Sequence, residues 1–213
     1  MLTFAQLMNT VVAIIFWISL LGLLHTYVLF PLLMRLLLKL KTEVKEEVAD
    51  NLFKPMVSVV MAAYNEEKVI IQKLESVIKS NYPSDKLEII VGSDCSNDGT
   101  DVLVQEFSQN HPQVKFIRFN SRTGKPAIIN QLVKHSKGEF LIITDANVMF
   151  DAEAISSMMN RFTVAEVGLV DSNMVNIGLM KSGISSQEKQ YIQTEVLTKY
   201  AEGEIWGSMM GPF

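Results

Sequence analysis

Asp145 and Asn147 stand two residues apart, directly behind the apolar run Phe140–Thr144. A carboxylate and an amide carbonyl at that spacing are hard oxygen donors, suited to Mg²⁺ or Mn²⁺ bridging a diphosphate. Three more side chains match the rest of such a ligand. Asp94 can accept from a uracil N–H or a ribose hydroxyl, Tyr64 can stack on a base, and Lys125 can meet phosphate. Together they point to a nucleotide-sugar. Competing chemistries lack their residues. No G-x-G-x-x-G follows the first apolar run, where Ala62-Ala63-Tyr64-Asn65-Glu66 stands instead; Gly124-Lys125 precedes Pro126 without P-loop spacing; and no G-x-S-x-G occurs. His25, His111 and His135 are scattered and Cys95 is the single cysteine, so neither structural zinc nor an internal disulfide is expected. With no histidine near it in sequence, Cys95 reads as a small filler in a turn.

These residues need elements to carry them. Val57–Ala62 is a short β-rich run, and Asn65 with Ile70, Leu74, Val77 and Ile78 behind it reads as a capped amphipathic helix. Leu87–Val91 is a second strand, and Asp98-Gly99-Thr100 opens a helix that carries Val102, Leu103 and Phe107. Val114–Phe119 is a third strand, and Pro126 suits the first turn of a helix running through Val133. Phe140–Thr144 is a fourth strand, a helix capped by Asp151 buries Ile155, Met158 and Phe162, and Val167–Val170 reads as a fifth strand. Such alternation predicts an α/β domain with a mostly parallel sheet, in which ligands bind outside the carboxyl ends of the strands. Tyr64, Asp94, Asp145 and Asn147 fall at such ends. Each also has a plain structural explanation, since Asn65, Asp98 and Asp145 can simply cap helices or make turns.

The chain has 213 residues, 48% of them hydrophobic and 20% charged, which excludes wholesale disorder. Its charge is unevenly placed. Residues 1–41 hold Arg35, Lys39 and Lys41 and no acid, so all 23 acidic residues lie beyond them, against the other basic ones. An acidic remainder argues against a nucleic-acid partner. Val11–Met34 is apolar apart from Ser19, His25 and Thr26; its 24 residues reach about 36 Å as a helix, enough to cross a hydrocarbon core of about 30 Å with some tilt or a bend at Pro31. No base precedes the run, unlike a signal peptide, and the bases that follow it place the remainder in the cytoplasm by the positive-inside rule. The expected organisation is a single-pass membrane helix with a basic flank over 1–41, a solvated linker over 42–55, and a nucleotide-sugar-binding domain over 56–213.

Four segments carry a family resemblance: Val59-Val60-Met61-Ala62-Ala63-Tyr64-Asn65-Glu66-Glu67, Ser93 through Thr100, Gly124-Lys125-Pro126-Ala127-Ile128-Ile129-Asn130, and Thr144-Asp145-Ala146-Asn147. In this order and spacing they resemble the family-2 inverting glycosyltransferases of the GT-A fold, over about residues 55–213. The resemblance implies a membrane-bound enzyme that transfers a sugar, with inversion, from a nucleotide-diphospho-sugar, a UDP-sugar above all, to a glycan or lipid acceptor. Ala63, Tyr64, Asn65 and Glu66 would border the nucleoside, with Ala63 where many members have proline. Asp94 matches the second aspartate of an Asp-Asp-x-Ser pattern, with Ser93 in place of the first. Asp145 and Asn147 match an Asp-x-Asp metal motif whose second aspartate is here an asparagine, and Lys125 lies where the family has a Gly-Lys-x-x-Ala-x-Asn segment near the donor site.

The resemblance also implies a catalytic base on a downstream Glu-Asp motif, which does not occur before Phe213. The catalytic residue is therefore unassigned. Glu195, Glu202 and Glu204 read as a solvated helix face, not as bases. The sequence alone thus predicts either the donor-binding half of a transferase, truncated before its base, or a non-catalytic membrane-anchored fragment or subunit that keeps the fold.

Overall fold

The computed structural model describes residues 3–40, 53–172, 174 and 184–207, which fall into two compact units. The first holds the N-terminal helices and the last one. Helix α1 (Phe4–Leu24) opens on a capping box between Thr3 and Gln6 and runs through a π-helical turn at His25–Leu29 into α2 (Phe30–Leu40). The π-helical turn stands just before Pro31. A proline has no N–H to donate and its ring crowds the carbonyl four residues back, and the widened turn just before it, where the Phe30 N–H reaches the His25 carbonyl, accommodates both. Gln6–Leu40 is long and apolar enough to cross a membrane, with its side chains exposed along α1. In the same unit α2 packs against α7 (Ile184–Trp206), and Met34 and Ala201 are buried there.

The second unit is a four-stranded, wholly parallel sheet. Its strands are β1 (Val57–Ala63), β2 (Leu87–Ser93), β3 (Val114–Arg118) and β4 (Phe140–Ile143), in the order β3-β2-β1-β4. β1 and β2 are central, and every residue of β2 and all but Ala62 of β1 are buried, as expected of strands covered on both faces. Val57, Val59, Met61, Ile89 and Val91 face one way, onto Ile70, Leu74 and Val77 of α3 (Ile70–Ile78), Val104 of α4 (Thr100–Asn110), and Ile155 and Met159 of α6 (Ala154–Arg161). Val60 and Ile90 face the other way, onto Ile128, Ile129 and Leu132 of α5 (Lys125–His135). The helix lies close: a Cβ on Gly92 would come 2.6 Å from Ile128 Cγ2.

Strands advance from β1 to β3 in one direction, and α5 then carries the chain back across the sheet to β4 on the other side of β1. This reversal leaves a crevice outside the carboxyl ends of β1 and β4, where open α/β sheets bind ligands. The four predicted strands are all present, each within two residues of its expected end. The fifth is not: residues 167–170 are irregular and Leu169 is 75% exposed. Local β-propensity does not form a strand without a ladder to join.

Candidate functional site

The loops after β1 and β2 are sewn to each other. Asp94 N donates to the Ala63 carbonyl (2.8 Å), extending the ladder past the strand ends. Asn65 lies at φ 55°, in the left-handed region that asparagine tolerates. From there its N–H reaches Ser96 Oγ (3.2 Å) while its own Oδ1 accepts from Asn97 N (3.0 Å). Glu66 N donates to Thr100 Oγ1 (2.8 Å), Glu67 N to Asp98 Oδ2 (3.2 Å), and Gly99 N to Glu67 Oε2 (2.8 Å). The expectation that Asn65 caps the first helix of the domain is therefore corrected. α3 begins only at Ile70, and Asn65 serves the neighbouring loop because its left-handed backbone turns it away from the helix axis. Asp98 does hold the start of α4, through Thr100 N (3.0 Å). Ser93 is wholly buried, its Oγ donating to Ser96 Oγ (3.0 Å) inside the turn. Cys95, half-buried at φ 60°, is a turn residue as expected.

Asp94 organises the next wall. Its Oδ1 accepts from Thr123 N (2.7 Å) and its Oδ2 from Gly124 N (3.1 Å) and Arg122 Nε (3.2 Å). Burial works against its ionisation, but donation from Thr123 and Gly124 and the Arg122 charge outweigh it and hold its pKa below the ordinary aspartate value. Gly124 adopts φ +83°, which a side chain would resist, and so turns its N–H to Asp94 just where α5 starts. The carboxylate read as a nucleoside contact is thus engaged by this chain's own loop.

Arg122 is the residue that motif reading missed. Its guanidinium lies 3.4 Å from the centre of the Tyr64 ring, so the aromatic face nominated for a base carries an arginine. An arginine two residues before a Gly-Lys pair is the one local signal for it, and the facing aromatic sits almost sixty residues earlier.

The third wall follows β4. Asp145 and Asn147 are exposed and Ala146 between them is buried, so both polar side chains stand on one side of the turn. Lys125 Nζ donates to Asp145 Oδ1, both side chains being about half exposed. An exposed pair of this kind contributes about 0–1 kcal/mol and exchanges readily for another partner. The three walls enclose a cleft of about 280 Å³ lined by Ala63, Tyr64, Glu66, Asp94, Arg122, Lys125, Asp145 and Asn147; Asn65, also expected there, is not among the lining residues. Among the described residues no group of three or more His, Cys, Asp or Glu side chains could hold a metal by itself. One carboxylate and one amide fit a divalent cation that completes its shell with water and phosphate oxygens, the usual habit of Mg²⁺.

The model of Glycosyl transferase family 2 matches residues 58–211. Over 96 residues the chain is 38% identical to a probable glycosyltransferase, YdaM, of Bacillus subtilis (strain 168), covering 44% of this chain and 23% of that one. Over 106 residues it is 32% identical to a poly-beta-1,6-N-acetyl-D-glucosamine synthase of Staphylococcus epidermidis, covering 50% and 25%. The chain thus spans about a quarter of the length of these curated relatives. Among solved structures, the mannosyltransferase PcManGT from Pyrobaculum calidifontis, in complex with GDP-Man and Mn²⁺, superposes with a TM-score of 0.62 at 29% identity, over 70% of this chain and 44% of that one. A match over nearly three-quarters of the chain, on a parallel sheet whose motif residues meet in one cleft, leaves one assignment: the chain belongs to glycosyltransferase family 2.

Proposed function

We propose that this chain binds the donor of a membrane-bound inverting glycosyltransferase, taking a nucleotide-diphospho-sugar, in the first place a UDP-sugar, for transfer to a glycan or lipid hydroxyl. The observation that carries the reading is the convergence of Tyr64, Arg122, the Asp94-held loop, Lys125 and the Asp145–Asn147 turn on one cleft at the point where strand order reverses. Aromatic and guanidinium groups at one end suit a base and ribose; the ammonium and the two oxygen donors at the other suit a diphosphate.

In transfer, an acceptor hydroxyl attacks the anomeric carbon from the face opposite the diphosphate, the bond from that carbon to phosphate oxygen breaks, and the hydroxyl proton passes to a general base. This chain's residues act on the leaving side. Lys125, released from Asp145, meets the growing charge on the diphosphate, and its place at the start of α5 adds the helix N-terminal N–H groups to the same end. Asp145 and Asn147 would hold Mg²⁺ or Mn²⁺, which supplies charge neutralisation for the leaving phosphates. Arg122, fixed by Asp94 and Tyr64, positions the nucleoside. The complex of GDP-Man and Mn²⁺ with PcManGT supports a divalent cation in the family and makes guanosine the alternative base to test.

The helix over Gln6–Leu40 and the bases Arg35 and Lys39 at its end support a membrane anchor with the sugar-binding unit on the cytoplasmic side. Calorimetric titration of the full chain in detergent with UDP and GDP, with Mn²⁺ or with EDTA, tests the donor reading. Metal-dependent UDP binding that Asp145→Ala abolishes is expected. Binding of neither nucleotide under any condition would overturn the reading, and nucleotide binding without sugar transfer would favour a donor-binding part that does not turn over by itself.

A further inference from the structure

The chain buries a lysine completely. Lys73, on α3, has no solvent exposure, although it sits in the apolar layer with Ile70, Leu74 and Val77. A lysine at such a place is costly unless every donor is used. Here each is. Nζ donates to Thr144 Oγ1 (3.0 Å) and to the Val148 carbonyl, and it lies 3.8 Å from the centre of the Phe150 ring. Burial pushes its pKa down to about 7, while the charge of Asp145 pulls the other way.

These partners are the two ends of one short segment. Thr144 is the last residue held to β1, through its N–H to the Val60 carbonyl (3.2 Å), and Val148 closes the turn, its N–H donating to the Asp145 carbonyl (3.4 Å). Between them stand Asp145 and Asn147, directed at the cleft. One helical turn further on, Ser76 Oγ accepts from Phe150 N (3.1 Å), so α3 grips the exit of the segment a second time. A methionine or leucine would fill the same volume of core without reaching either end.

We propose that Lys73 is a positioning residue, which clamps from beneath the cleft both ends of the turn that presents Asp145 and Asn147. The role rests on reading that turn as the metal–diphosphate end of the donor site. It accounts for a buried lysine that the fold does not require. Groups that orient metal ligands from behind are worth about 10- to 100-fold in metal affinity when removed.

The test uses the full chain in detergent and the variants Lys73→Met and Thr144→Val. Hydrogen exchange is followed in segment 141–150 without metal, and Mn²⁺ affinity is measured with UDP present. In Lys73→Met, exchange across Thr144–Val148 should quicken at least about tenfold, the ordinary effect of about 1.4 kcal/mol of lost local protection, with β2 and α5 unchanged. Mn²⁺ affinity should fall about 10- to 100-fold while UDP affinity in EDTA stays within about twofold. Thr144→Val should show the same pattern more weakly, and it carries the measurement if Lys73→Met does not fold. Unchanged exchange at 144–148 in a folded variant, or a uniform rise throughout the sheet, would show Lys73 to be core filling and overturn the proposal. Should the unaltered chain bind no Mn²⁺, the metal reading fails by itself, and the exchange pattern still decides the clamp.

Discussion

Arg122 and Tyr64 come from loops on different strands, yet the guanidinium lies 3.4 Å from the ring centre, close enough for stacked cation–π contact, while its Nε is held by Asp94 at 3.2 Å. The pair lines one end of the cleft. Arginine can stack flat and donate in its own plane at once, and lysine cannot. Arg122→Ala should therefore weaken UDP binding by about tenfold, within the range of one partly desolvated cation–π contact plus a charged hydrogen bond. Arg122→Lys should not restore it. Wild-type affinity in either variant, read by calorimetry, would remove Arg122 from the site.

Asn65 separates conformational from binding roles. Its φ of 55° is natural for glycine and costly for alanine, and its Oδ1 supports Asn97 N. Asn65→Gly should keep nucleotide affinity within about threefold. Asn65→Ala should lose about 1–2 kcal/mol of stability in denaturant titrations from backbone strain and the unpaired N–H. A tenfold loss of affinity in Asn65→Gly would mean that the amide contacts the donor directly.

Lys73 makes stability depend on pH in a definite direction. Its folded pKa, about 7, lies below the unfolded value near 10.4, so between these the unfolded chain holds more protons and stability rises with pH. The penalty for burying the charge is fully present below about pH 7 and relieved above it. The rise is at most about 1.4 kcal/mol per pH unit. Plotted as the difference from Lys73→Met, unfolding free energy should climb between pH 7 and 10. A flat difference would show that the ammonium keeps its proton in the fold.

Gly92 lets α5 approach the sheet. An added Cβ would stand 2.6 Å from Ile128 Cγ2 and 2.9 Å from Leu132 Cδ1, both on the helix that begins with Lys125. Gly92→Ala should cost about 1–3 kcal/mol as overpacking, seen as a lower Tm, and should weaken UDP binding by shifting Lys125. Destabilisation without any change in affinity would show that the start of α5 is held by the Asp94 loop and not by the helix body.

The N-terminal helix yields a fractionation result. The chain should stay with membranes through an alkaline wash, and in inside-out vesicles protease should remove residues 53–174 while leaving the span. Protection of that unit in inside-out vesicles would reverse the orientation drawn from Arg35 and Lys39.

Much of this was legible in sequence because it depends on local order. Alternating apolar runs located four strands, and the polar residues at their ends include Tyr64, Asp94, Asp145 and Asn147, which line the cleft. The apolar stretch through Met34 announced its helix in the same way, since hydropathy and helical rise are properties of the segment itself. Tertiary structure alone decided the order β3-β2-β1-β4, and with it which strand ends share a crevice, because parallel pairing is chosen by packing between distant segments and leaves no periodic trace. It also decided that Asp94 faces its own loop, that Arg122 covers Tyr64, and that Asn65 serves a neighbouring turn and not its own helix. Lys73 shows the limit most plainly. Along the chain it is one charged residue on an amphipathic helix, and only the approach of the segment after β4 gives the buried group its two hydrogen-bond partners.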